Sequence, residues 1–162
     1  MKEYLQIDLS LLEVLANTMH DKGLTVSVSE SCTGGFISTF LTSKSGASNF
    51  FNGAVTTYSN MSKNQFLNIS HRDIKQYGVV SKEIAEAMAS NVRIKFNTDY
   101  GLATTGYVDV SNLLETESLR AWIAVASKNK IISECIFLDQ NRLKNISKVS
   151  YELLNLFAKE II

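Results

Sequence analysis

At 162 residues, with 45% hydrophobic and 20% charged side chains, the chain has the size and balance of one globular domain with its own core, and a single domain over residues 1–162 is expected. Sixteen basic and sixteen acidic side chains cancel, which argues against nucleic acid or an anionic membrane surface as the partner. Cys32 and Cys135 lie far apart with no histidine at metal-ligand spacing, residues 1–8 lack the apolar core of a signal peptide, and no apolar run reaches the roughly 18 residues that span a bilayer. The expectation is a cytoplasmic protein with free thiols, no metal and no membrane association.

Leu9, Leu12, Leu15 and Met19 recur at helical spacing between Asp8, a capping residue, and Gly23, a stop. His20, in the last turn, is expected on the surface. From Leu24 to Glu30 apolar and hydroxyl residues alternate with the period of a strand, and the turn Ser31-Cys32-Thr33-Gly34-Gly35 leads into a short buried helix over Phe36–Thr42. A polar loop holding Gly46 and Ser48 precedes a strand over Phe50–Thr57. Asn60 is expected to cap a helix running from Met61 to about Phe66, and Ser70 one that Gly78 ends. Ser81 opens a helix with the ridge Ile84, Met88, Val92 and Phe96.

Tyr100–Thr105 is a strand ending at Gly106, and 107–120 is a loop carrying Asp109, Glu115 and Glu117. Ala121–Ser127 and Ile131–Leu138 form a hairpin around Lys128-Asn129-Lys130, and a final helix begins near Asn141. With no proline in the chain, capping residues and glycines set these boundaries. The element order predicts an α/β fold, a three-layer α/β/α sandwich with a mixed sheet of about five strands. Ligand sites in such sheets lie outside the carboxyl ends of the strands, where Ser31 and Tyr58 fall.

Chemistry concentrates between Val26 and Lys63. Thr33-Gly34-Gly35 at a strand-to-helix turn can present bare backbone N–H groups to a phosphate or carboxylate, though such a turn is equally often just a tight connection. Lys63 lies in the first turn of its helix, where the macrodipole disfavours a cation; burial would lower its pKa further and make it a general base toward a serine hydroxyl. A lysine that points into water is the plainer alternative. Tyr58 could share a proton relay or bond the substrate.

Glu30-Ser-Cys-Thr-Gly-Gly35, Gly46-Ala-Ser48, Thr57-Tyr-Ser-Asn60 with Lys63, and Gly78-Val-Val-Ser81 ahead of Ala87-Met-Ala89 resemble the C-terminal domain of the competence/damage-inducible protein family CinA, over nearly the whole chain. That domain also occurs alone as nicotinamide mononucleotide deamidase. The resemblance implies an amidohydrolase of pyridine nucleotide salvage that takes a small nucleotide substrate and uses no metal or organic cofactor. It implies Ser48, Lys63 and Tyr58 as catalytic residues, with Ser31 a second candidate nucleophile beside the same site. Glu30, Thr33, Gly34, Gly35, Gly46, Thr105 and Gly106 are the expected substrate-binding residues. Where the family carries a loop of the kind Thr-Gly-Ile-Ala-Gly-Pro-Gly-Gly, this chain keeps Thr105 and Gly106 and continues with bulky and acidic side chains. An inactive or weak ligand-binding module is therefore the competing reading. A symmetric homo-oligomer is compatible with a domain of this size.

Overall fold

The computed structural model describes residues 8–110, 113 and 118–162. Helix α1 (Leu9–Lys22) starts at Asp8, whose carboxylate accepts the Ser10 and Leu11 N–H groups, and ends at Gly23. His20 is exposed beside Asp21. Strand β1 (Val26–Glu30), helix α2 (Phe36–Thr42), a 3₁₀ turn (Ala47–Asn49) and strand β2 (Phe51–Thr56) follow. Three helices, α3 (Asn60–Leu67), α4 (His71–Tyr77) and α5 (Lys82–Phe96), lead to strands β3 (Tyr100–Tyr107), β4 (Arg120–Ala126) and β5 (Ile131–Phe137), and to helix α6 (Arg142–Ile161).

The five strands form one sheet in the order β2-β1-β3-β4-β5, with β1 parallel to β2 and β3 and the last two pairings antiparallel. The fold is thus the expected α/β sandwich with a mixed sheet. Leu15, Met19, Ile37, Leu41, Leu153 and Phe157 of α1, α2 and α6 pack on Val26, Val28, Leu102, Ile123 and Val125 of one face. Leu67, Ile74, Ile84, Met88 and Val92 of α3, α4 and α5 pack on Ala103, Ala124 and Ala126 of the other. No helix among the described residues is long and apolar enough to cross a membrane.

The hydroxyl side of β1 does not face water, as a period-2 strand with one wet face would. Every residue of β1 is buried, and Ser27 donates to the Val92 carbonyl of α5 while bonding the Thr98 hydroxyl. Small residues let α5 come this close. A Cβ on Gly101 would lie 2.1 Å from the Ala89 carbonyl oxygen and 2.7 Å from the Arg93 Cβ, so only glycine fits there.

Several boundaries move by a residue or two, and two of them bear on the site. Helix α3 is capped by Ser59, not Asn60: Ser59 is extended, its hydroxyl accepts the Ser62 N–H, and Ser62 returns a bond to the Ser59 N–H, a reciprocal pair that Asn60 cannot make from inside the helix. Strand β3 runs on to Tyr107 because β4 pairs with it through Gly106↔Ala121 and Tyr107↔Arg120. Of the acidic residues expected in the following loop, Asp109 is described, while Glu115 and Glu117 lie outside the described residues.

The chain leaves β1 toward β2 on one side and returns to β3 on the other. This reversal of strand order makes the carboxyl end of β1 the switch point at which sheets of this kind open a crevice.

Candidate active site

Ser31 is the first residue past β1, its N–H held by the Thr104 carbonyl of the adjacent β3 at 3.1 Å. On the other side of β1, the Thr57 N–H bonds the Glu30 carbonyl at 2.8 Å, which fixes Thr57 and the entry to α3 beside Ser31. Lys63 projects back from α3 between them. Its side chain is 1% exposed, and Nζ lies 2.9 Å from Ser31 Oγ and 2.7 Å from the Thr57 carbonyl oxygen. Burial brings the lysine pKa from 10.5 down to about 8, the direction expected from the sequence, with desolvation as the largest cause.

These groups open into a cleft of about 180 Å³ lined also by Thr105, Gly106, Asp109 and Arg142. Cys32 lines it too, but burial pushes its thiol up to about 12, so the sulfur beside Ser31 stays protonated and is no nucleophile at neutral pH. The Thr105 hydroxyl donates to the Val79 carbonyl at 2.8 Å, fixing the segment before α5 as one wall. Gly106 lies in the lining, and a Cβ there would meet the Ala121 Cβ at 2.6 Å.

Tyr58 stands at the rim, 60% exposed, its phenol oxygen accepting a short bond from Arg142. It makes no hydrogen bond to Lys63 or Ser31, which places it for contact with a ligand and not for a relay between those two. Arg142 is a residue the sequence reading missed. The signal was available: it is a cation in the first turn of a helix, the same oddity that singled out Lys63. Asn60, read from the sequence only as a helix cap, also lines the cleft, and the Thr57 carbonyl, part of the same motif, receives a hydrogen bond from Lys63.

Two groups of expected site residues lie away from the cleft. Ser48 is exposed on the 3₁₀ turn before β2. Because β1 and β2 are parallel, with the Val26 N–H on the Phe50 carbonyl and the Thr57 N–H on the Glu30 carbonyl, Ser48 and Gly46 lie at the amino end of the strands and Lys63 at the carboxyl end. About 17 Å of strand separates the two levels at 3.3 Å per residue, so Ser48 cannot meet Lys63 of its own chain. Neither Ser48 nor Gly46 lines the cleft.

The second group is the turn after β1. Its N–H groups do converge on an anion, but the anion is the chain's own. Fully buried Glu30 accepts from the Gly35, Ile37 and Ser38 N–H groups and from the Thr33 and Ser38 hydroxyls, at 2.6–3.1 Å. The Gly34 N–H goes to the Ser31 carbonyl. Glu30, Thr33, Gly34 and Gly35 are therefore the internal cap of α2 and lie outside the cleft lining. Gly35, at φ 104°, is needed for the turn that brings its N–H onto that carboxylate. The Cys32 and Thr33 N–H groups take no part in this network.

Among the described residues, no group of three or more histidine, cysteine, aspartate or glutamate side chains is placed to hold a metal ion.

The family model for the CinA C-terminal domain matches residues 8–161. The chain belongs to that family. A CinA-like protein of Amoebophilus asiaticus is 37% identical over 150 residues, covering 92% of this chain and 36% of that protein. A CinA-like protein of Flavobacterium psychrophilum is 37% identical over 156 residues, 96% of this chain and 37% of that one. The chain thus spans little more than a third of the length of these curated relatives. In fold it matches the competence damage-inducible protein A of Klebsiella pneumoniae (TM-score 0.91, 18% identity, 96% of this chain and 97% of that one) and a competence/damage-inducible protein of Agrobacterium tumefaciens (TM-score 0.89, 23% identity, 93% of each).

Proposed function

We propose that the chain is a Ser–Lys amidohydrolase that converts nicotinamide mononucleotide and water to nicotinic acid mononucleotide and ammonia, in pyridine nucleotide salvage. The observation that carries this reading is the buried contact of Lys63 Nζ with Ser31 Oγ at 2.9 Å. A neutral lysine that donates one N–H to the Thr57 carbonyl has its lone pair available for the Ser31 O–H. Ser31 is the nucleophile in this reading, in place of Ser48.

Lys63 takes the Ser31 proton as Oγ attacks the carboxamide carbon, and the protonated lysine returns that proton to the departing nitrogen as the C–N bond breaks and ammonia leaves. Water, deprotonated by Lys63, then cleaves the Ser31 ester, releasing the carboxylic acid and restoring the hydroxyl. The Cys32 N–H, next to the nucleophile and outside the α2 cap network, is the donor we assign to the oxyanion. The cleft is smaller than the 300–1,000 Å³ of pockets that enclose whole ligands. In this reading the pyridine carboxamide enters it and the ribose phosphate stays at the mouth, on the side of Tyr58 and Arg142, which line the cleft.

Ammonia release from nicotinamide mononucleotide by the purified chain and by its Ser31→Ala variant tests the reading. Turnover lost in the variant supports it, and turnover unchanged in the variant refutes it. The alternative, a ligand-binding module without turnover, is favoured by Tyr107 and Asp109 in the cleft lining, on the stretch that departs from the family's glycine-rich loop. Binding without ammonia release by the unmodified chain would establish that alternative.

A further inference from the structure

Arg142 reaches the cleft from the first turn of α6, and its guanidinium is shared. One nitrogen donates to the Tyr58 oxygen, and the other lies 3.8 Å from an Asp109 carboxylate oxygen. Among the described residues lining the cleft, Arg142 and Lys63 are the basic side chains and Asp109 is the carboxylate. The Arg142–Asp109 pair is long and only partly sheltered, with side chains 42% and 33% exposed. Such pairs are weak. With Arg142 donating to its oxygen, the Tyr58 hydroxyl keeps its own proton to donate into the cleft.

We propose that Arg142 and Tyr58 form an exchangeable anion site at the mouth of the cleft, which takes the phosphate of a phosphate monoester, and that Asp109 is the internal anion displaced when it binds. A phosphate offers more charge and more acceptor oxygens than a carboxylate. It can accept two parallel guanidinium bonds, whereas the Asp109 oxygen stands 3.8 Å from the guanidinium nitrogen it faces, so exchange at Arg142 favours the ligand. The positive end of α6 adds to the field that favours the anion. Asp109 then sets affinity and selectivity: when the site is empty it neutralises Arg142, and it turns away anions too weak to displace it.

The inference deepens the amidohydrolase reading by naming how the nucleotide phosphate is held, but its test needs no turnover. Isotope-labelled protein is titrated with ribose 5-phosphate, and with ribose as the control without phosphate, and followed by NMR. Ribose 5-phosphate is expected to shift signals around the cleft, with affinity falling as salt is added, and ribose is expected to leave them unmoved. Asp109→Asn should tighten ribose 5-phosphate binding about threefold to tenfold by removing the competitor of an exposed pair. Arg142→Gln should weaken it at least tenfold, and Arg142→Lys, which keeps charge without the planar fork, should fall between.

Unchanged or weaker binding in Asp109→Asn, or unchanged binding in Arg142→Gln, overturns the proposal. Should Arg142→Gln fail to fold, Asp109→Asn and Arg142→Lys still decide it. If these shifts appear while nicotinamide mononucleotide is not hydrolysed, the anion site stands and the amidohydrolase reading fails. If hydrolysis proceeds with ribose 5-phosphate affinity indifferent to both residues, the reverse holds.

Discussion

A lysine that is 1% exposed and has a pKa near 8 should leave a signature in stability as well as in rate. In the unfolded chain Lys63 titrates near 10.4, so between pH 8 and 10.5 the unfolded state binds more protons than the folded one, and stability rises with pH across that window. At 1.36 kcal/mol per tenfold, the drop from 10.5 to about 8 corresponds to about 3 kcal/mol held against the folded state below pH 8. Urea unfolding of the wild type and of Lys63→Met at a series of pH values isolates this contribution, because the other titrating groups cancel in the difference. Relative to Lys63→Met, the wild type should gain about 2–3 kcal/mol between pH 7 and 10.5. The same pKa makes roughly one lysine in ten neutral at pH 7, against fewer than one in a thousand at 10.4, so the rate should climb about tenfold per pH unit below 8 and level off above it. Lys63→Arg should be as inactive as Lys63→Met, since a guanidinium stays protonated. A flat stability difference from pH 7 to 10.5, or an active arginine variant, would show that Lys63 is no buried base.

Ser31→Ala should lower kcat for ammonia release by at least a thousandfold, on the order of other lost nucleophiles, while Ser48→Ala should stay within about twofold of wild type; a dead Ser48→Ala would contradict the strand register as the guide to the site. Glu30→Ala strips the α2 cap of a buried acceptor and should cost about 3 kcal/mol or more in urea unfolding, and a loss under about 1 kcal/mol would mean the carboxylate is not holding the turn. Gly101→Ala drives a methyl into the Ala89 carbonyl and should lower stability by about 2–4 kcal/mol, read as a falling melting temperature; an unchanged value would mean that α5 does not sit where it is described.

Caps and periodicity made the layers legible. Asp8, Ser70, Ser81 and Asn141 each start the helix they were expected to start, and the hairpin of β4 and β5 follows from two β-rich arms around a short polar turn. The site was harder to read because its residues come from distant segments and their relation depends on strand direction. Ser31 and Ser48 look equivalent in a linear motif, and only the parallel pairing of β1 with β2 shows that they belong to opposite ends of the sheet. Arg142 reaches Tyr58 from the far end of the chain, which no local pattern encodes. The Thr33–Gly35 turn reads in the sequence as a cradle for a ligand anion, but the sequence could not show that the Glu30 carboxylate, itself part of the motif, takes its N–H groups.

Glu30 and Lys63 also show how a buried charge kept for structure differs from one poised to react. Both belong to the same constellation and both are almost wholly shielded from water, at 0% and 1% exposure. Glu30 accepts five hydrogen bonds, two from hydroxyls and three from backbone groups that α2 must satisfy in any case, so its charge is spent on the fold. Lys63 has a carbonyl and a hydroxyl as partners and no carboxylate, and one partner is the oxygen of Ser31, which lines the cleft. A fold built for stability alone would gain by replacing this lysine with an apolar side chain. A buried amine with a lowered pKa, aimed at a hydroxyl that lines the cleft, is the arrangement that the proposed acyl transfer requires, and this difference in saturation is why the proposal rests on Lys63 and Ser31 and treats Glu30 as their support.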